Sequence, residues 1–96
     1  MKVIWASGAV RSLVAIRHYI SVDDPVAAGH VAAKIKAAVK NLETFPHAGR
    51  PGVRENTREL VIGGLPYVVV YRVGDSAVYI ARVLHTSRHW QEGAWE

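Results

Sequence analysis

The chain has no cysteine among its 96 residues. Neither a disulfide framework nor a thiolate metal site can be built, which fits a reducing compartment. Long hydrophobic runs are missing as well: nothing approaches the ~20 apolar residues that a bilayer-spanning helix needs. The opening stretch, MKVIWASG, carries one lysine and a short apolar run, too little for a signal peptide. The expectation is a soluble, cytoplasmic protein with no membrane partner. Acidic residues are also scarce, 8 against 12 lysines and arginines, giving a net charge of +4 and a pI near 9.8. That imbalance favours an acidic partner: nucleic acid, a complex that handles nucleic acid, or an acidic peptide. Arginine outnumbers lysine among the cations, and arginine suits bidentate contacts to carboxylate or phosphate.

No internal repeat, linker or low-complexity tract interrupts the chain, so residues 1–96 read as one domain. Lys2–Trp5 has the β-branched and aromatic content of a short strand. Ser7 is placed to cap a helix, along which Ala9, Leu13, Ile16 and Ile20 recur at helical spacing and Val10 and Val14 widen the stripe. The SVDDP stretch breaks this helix and starts another, with Asp24 as N-cap and Pro25 at the first helical position. Ala28, Val31, Ile35, Ala38 or Val39, and Leu42 form the second apolar stripe, and Pro46 ends it. So short a turn between amphipathic helices implies an antiparallel helical hairpin. Pro46–Gly52 reads as loop. Thr57–Ile62, Leu65–Val73 and Ala77–Leu84 then read as three strands joined by tight turns, the middle one longest. Thr86 or Ser87 caps a final short helix ending near Trp95. The fold class is α+β, in the order β-α-α-β-β-β, with the helical hairpin packed on one face of a small, mostly antiparallel sheet.

Alternation along Leu65–Val73 sets Tyr67, Val69, Tyr71 and Val73 on one side and Val68, Val70 and Arg72 on the other. The side of Arg82 depends on the next turn. A three-residue Gly74–Ser76 loop pairs Val73 with Ala77 and places Arg72 and Arg82 together. A two-residue Gly74–Asp75 loop sends Arg82 to the opposite side. In the first register Val68, Val70, Val78, Ile80 and Leu84 make an open apolar strip holding both arginines. Such a strip suggests a protein partner, unless the tail with Trp90 and Trp95 folds back over it.

The stretches GRPG, TRELVIGGLPYVVVYRV and YIARVLHTSRHW, after a hairpin with DP in its bend, closely resemble the RelE/ParE superfamily of type II toxin–antitoxin modules. The ParE or plasmid-stabilisation branch is the most similar, and the resemblance covers essentially the whole chain. It implies a toxin made beside a cognate antitoxin whose flexible C-terminal segment wraps it. The antitoxin's N-terminal domain would bind operator DNA, which this chain would reach only through that partner. RelE-like members cleave messenger RNA in the ribosomal A site, whereas ParE-like members inhibit DNA gyrase. RelE-type nucleases usually carry an arginine just after the first tyrosine of the PYVVVY strand, and here that residue is Val68. The departure argues for a gyrase-binding inhibitor over a ribosome-dependent mRNA endonuclease. A non-toxic, antitoxin-binding module is the third reading.

Cleavage through a 2′-hydroxyl needs a base, an acid and cations on the phosphorane. The candidates are Glu59 or His85 as base, His85 or His89 as acid, and Arg72, Arg82 and Arg88 on the phosphate. A binding face would instead use Val68, Val70, Arg72, Val78, Ile80, Arg82, Leu84, His85, Arg88 and Trp90. His85 and His89 stand at helical spacing but lack a third ligand, so no metal is expected, and no cofactor either. GRPG lacks the lysine and the strand-to-helix setting of a phosphate loop. His18, His30 and His47 read as helix-surface and loop residues without a role.

Overall fold

The computed structural model of the chain describes residues 1–88. Its order is β1 (Lys2–Trp5), α1 (Ser7–Ser21), α2 (Pro25–Lys40), a 3-10 turn (Asn41–Glu43), β2 (Arg50–Pro51), β3 (Arg58–Val61), β4 (Tyr67–Val73) and β5 (Ala77–His85). The strands form one sheet in the order β1-β5-β4-β3-β2, with β1 parallel to β5 and the other pairs antiparallel. Two of the strands differ from the sequence reading. Arg50–Pro51, expected as loop, pairs with β3 at the sheet edge, where proline's missing N–H faces no partner strand. The longest strand is β5, not β4.

The helices begin differently. At α2 the Asp24 carboxylate accepts the Ala27 N–H at 3.0 Å, with Pro25 behind it, as the sequence indicated. At α1 the expected Ser7 cap does not form: Ser7 lies inside the helix, and Ala6 occupies the cap position with no side-chain bond. What starts α1 is the strand before it, since the Ala6 N–H reaches the Ile80 carbonyl at 2.9 Å and ties the helix entry to β5.

The core lies between the hairpin and one side of the sheet. Leu13, Ile35, Val39 and Leu42 meet Val69, Tyr71, Val78, Ile80 and Val83 there. Each fully buried aliphatic side chain contributes about 1.5–3 kcal/mol, so this layer holds the two elements together. Val10 and Val14, which the periodicity placed on the packed stripe, stay 47% and 62% exposed.

The β4–β5 hairpin follows neither expected register. Gly74 N–H bonds to Ala77 at 2.8 Å, so the loop is Asp75–Ser76, and Val73 stands opposite Val78. A one-residue bulge between Val70 and Tyr71 then shifts the pairing, leaving Val70 opposite Arg82 and Val68 opposite Leu84. Across β3–β4 the chain turns through Gly64, whose φ of 75° favours a residue without a Cβ.

Tyr71 joins the sheet to the loop after α2. Its buried hydroxyl accepts the Gly49 N–H and donates to the Pro46 carbonyl, each at 2.8 Å. Burial raises its pKa, opposed by the Gly49 bond and the nearby Arg58. Tyr71→Phe should therefore lower stability by about 1–3 kcal/mol in urea unfolding, because the buried Gly49 N–H loses its acceptor. The raised folded value means the neutral phenol is favoured in the native state. Its contribution holds below the ordinary tyrosine value of 10.0 and is lost as pH rises through the folded value. The alkaline fall in stability should be shallower in Tyr71→Phe than in the wild-type chain.

Candidate functional site

The sheet side away from the helices carries the two arginines, as the sequence reading required of its first register, but through the bulge. Cross-strand partners share a face. One row therefore runs Arg50, Glu59, Val70, Arg82, and a second runs Val61, Val68, Leu84. A third, nearer the hairpin, sets Ile4, Tyr79 and Arg72 side by side. Val78 and Ile80, expected on this open side, belong to the helix-packed core, because the shifted loop reverses the parity of β5 before the bulge restores it. Nor is there a bare valine strip: Val68 and Val70 are 1% and 0% exposed, and Leu84 is half-buried. Trp90 and His89, and the proposed tail helix with Trp95, lie outside the described residues.

Arg72 is exposed beside Tyr79. Arg82 is different. Its guanidinium donates to its neighbour Ala81's carbonyl at 2.7 Å and lies against Gly8 of α1, where a methyl group would overlap it. Glycine at this helix entry thus makes room for an arginine reaching across from β5. The overlapping atoms are the far end of a flexible side chain, so the helix need not move. Gly8→Ala should displace Arg82 while costing less than about 1 kcal/mol of stability, measurable by thermal unfolding and by a changed Arg82 position in a crystal structure.

Glu59 is buried and its carboxylate is engaged. It accepts from Arg50 Nη2 and Nε at 3.3 and 3.4 Å and from the Val53 N–H at 3.0 Å, fastening the 50–58 loop to the sheet. Offered by the sequence as a candidate base, Glu59 is here engaged by Arg50 and the Val53 N–H. Val70 also stands between Glu59 and Arg82 in their row. His85 pairs with Tyr67 and meets that ring edge-on, with centroids 5.6 Å apart. Tyr67 packs in the helix-side core, so His85 belongs to the opposite side of the sheet from Glu59 and Arg82. Arg88 follows in the turn after β5. The four candidates Glu59, Arg82, His85 and Arg88 therefore do not form one acid–base cluster. Among the described residues no group of three or more metal-ligating side chains is gathered either, and no helix is long and apolar enough to cross a membrane.

The surface that sequence reasoning missed lies beside β1. A groove of about 590 Å³ runs between this edge strand and the hairpin, lined by Val3, Trp5, Val10, Leu13 and Val14 and rimmed by Lys36, Lys40 and Glu43. A signal existed: Ala9, Val10, Leu13, Val14 and Ile16 make an apolar stripe wider than one packed face can bury. β1 is also an edge strand, pairing on one side only. Since the Ala6 N–H points to β5, strand alternation turns the N–H groups of Val3 and Trp5 outward.

A helical hairpin on a five-stranded, mostly antiparallel sheet is a RelE/ParE-like architecture, and the comparisons agree. A family model for the ParE toxin of type II toxin–antitoxin systems matches residues 3–90. The chain belongs to this family. It is 41% identical over 91 residues to the putative toxin Y4kP of Sinorhizobium fredii, covering 95% of this chain and 94% of that one. It is 39% identical over 87 residues to the toxin RelE2 of Caulobacter vibrioides, covering 91% and 97%. Among solved structures, a chromosomal ParDE toxin–antitoxin system from P. aeruginosa superposes with a TM-score of 0.79 at 28% identity, covering 88% of this chain and 95% of that one. The RelBE2 toxin–antitoxin complex of Mycobacterium tuberculosis does so at 0.60, with the same identity and coverage.

If Glu59 serves as a brace, Glu59→Ala should destabilise the fold by about 1–3 kcal/mol, leaving Arg50 and the Val53 N–H without this acceptor. Urea unfolding measures the loss, and faster proteolysis within residues 50–58 would locate it.

Proposed function

We propose that this toxin acts by binding, with DNA gyrase as its target, and that its cognate antitoxin neutralises it by occupying the β1 flank. The observation that carries the binding mechanism is the separation of the candidate catalytic groups. Glu59 braces a loop, Val70 stands between it and Arg82, and His85 belongs to the other side of the sheet. RNA cleavage requires acid, base and cation around one phosphate. Binding to a protein target asks only for a surface, and Arg72 and Tyr79 are side-chain types that anchor such interfaces.

The antitoxin assignment rests on the toxin–antitoxin systems this chain superposes with and on the groove beside β1. An extended partner segment can pair with the outward N–H groups of this edge, while an adjoining helix buries Val10 and Val14. On the rim Lys40 is paired with Glu43 at 3.3 Å, which leaves Lys36 as the cation that favours an acidic residue in that partner. Operator DNA contact belongs to the antitoxin.

Purified toxin should inhibit gyrase supercoiling and leave ribosome-bound message intact in an in vitro translation assay. Undiminished supercoiling together with codon-positioned cuts would replace this reading with the endonuclease one. Val14→Asp should weaken antitoxin binding by about 2 kcal/mol, the cost of spoiling one well-buried anchor, as read by calorimetry. An unchanged affinity would move the antitoxin to another face.

A further inference from the structure

A second opening, of about 570 Å³, lies between α1 and the end of β5. Its α1 residues are Ser12, Ala15, Ile16 and Tyr19, whereas the groove beside β1 uses Val10, Leu13 and Val14. At 3.6 residues per turn these two sets point to opposite flanks of the helix. A body in one opening is therefore separated from the other by the width of α1.

The chemistry of the two openings differs too. Tyr67 is 8% exposed and lines the cleft, and its hydroxyl has no hydrogen-bond partner among the described residues. Burial, and then the neighbouring Tyr19, keep that phenol protonated to higher pH than usual. His85 Nδ1 is held by Ser87, 2.8 Å from its hydroxyl and 3.2 Å from its backbone N–H, which leaves Nε2 as the ring nitrogen without a partner among the described residues. Arg88 can only donate. Among the described residues no carboxylate lines the cleft, and α1 contains none. A donor set over the apolar floor of Ile16 and Val83 matches a negatively charged acceptor carried on an apolar segment. The single arginine suits a protein side chain better than a nucleic-acid backbone, which calls for a basic stripe.

We infer that this cleft receives an Asp or Glu side chain, with an apolar neighbour, from the toxin's protein target, while the antitoxin holds the other flank of α1. The inference rests on the reading of this chain as a target-binding toxin, and the test separates the two. Tyr67→Phe removes only the hydroxyl, and Arg88→Gln changes an exposed residue, so both variants should fold. Each is compared with wild type for inhibition of gyrase supercoiling, for growth arrest after induction, and for antitoxin affinity by calorimetry. The expected result is a loss of about tenfold in inhibitory potency for each variant, the scale of one interfacial polar contact, with antitoxin affinity and thermal unfolding unchanged. Wild-type potency in both variants overturns the inference, as does a parallel loss of antitoxin affinity, which would assign the cleft to the antitoxin. If wild-type toxin arrests growth without touching supercoiling, the gyrase reading fails alone. Growth arrest then decides the cleft: weakened variants support it and unchanged ones overturn it. If wild-type toxin arrests nothing, the toxin reading and the inference fall together.

Discussion

The pairing of β4 with β5 organises the molecule, and its one-residue bulge sets which side chains of β5 share a face. β5 lies between β1 and β4, bonding in parallel to one and antiparallel to the other. Near the hairpin turn its register puts Val78 and Ile80 into the core. Beyond the bulge it puts Val83 there instead and releases Arg82 and Leu84 to the other side. A strand with strict alternation could not bury Val78, Ile80 and Val83 on one face, since the last differs in parity from the others. The bulge resolves that conflict by one extra residue. Arg82 then reaches the start of α1, where Gly8 leaves room for its guanidinium.

From this pairing the separation of surfaces follows. The helices cover one side of the sheet. On the other, Glu59 and Arg50 hold a loop while Arg72 and Tyr79 remain exposed beside Ile4. The two openings along α1 come from the same packing: the helix sits across β1 and β5, leaving an apolar groove on one flank and a donor-lined cleft on the other. A toxin held by an antitoxin on one flank would thus keep its polar cleft physically apart from the neutralising contact.

Much of this was legible before the structure. The helical hairpin with its Asp24–Pro25 start, the three late strands and the α+β class all follow from period, caps and turn residues. Local signals failed where long-range pairing overruled them. Ser7 looked like a cap, yet the β1–β5 pairing draws Ala6 into that role. Arg50–Pro51 looked like loop, because a two-residue edge strand leaves no periodic trace. Glu59 looked available for chemistry, since nothing local says that Arg50 and Val53 will close on it.

By itself the sequence determined the two helices and the longer strands, the family resemblance, and the absence of thiol chemistry. Each of these depends on residue type and near-neighbour spacing alone. Only the tertiary structure decided which residues share a face. A loop shifted by one residue and a bulge that shifts the register back change the partners of a whole strand without altering any local pattern. The same holds for Val10 and Val14, whose exposure depends on how wide a stripe the sheet can cover. Periodicity states that a side chain is apolar and where it points, but what it meets there is settled by the packing of distant segments.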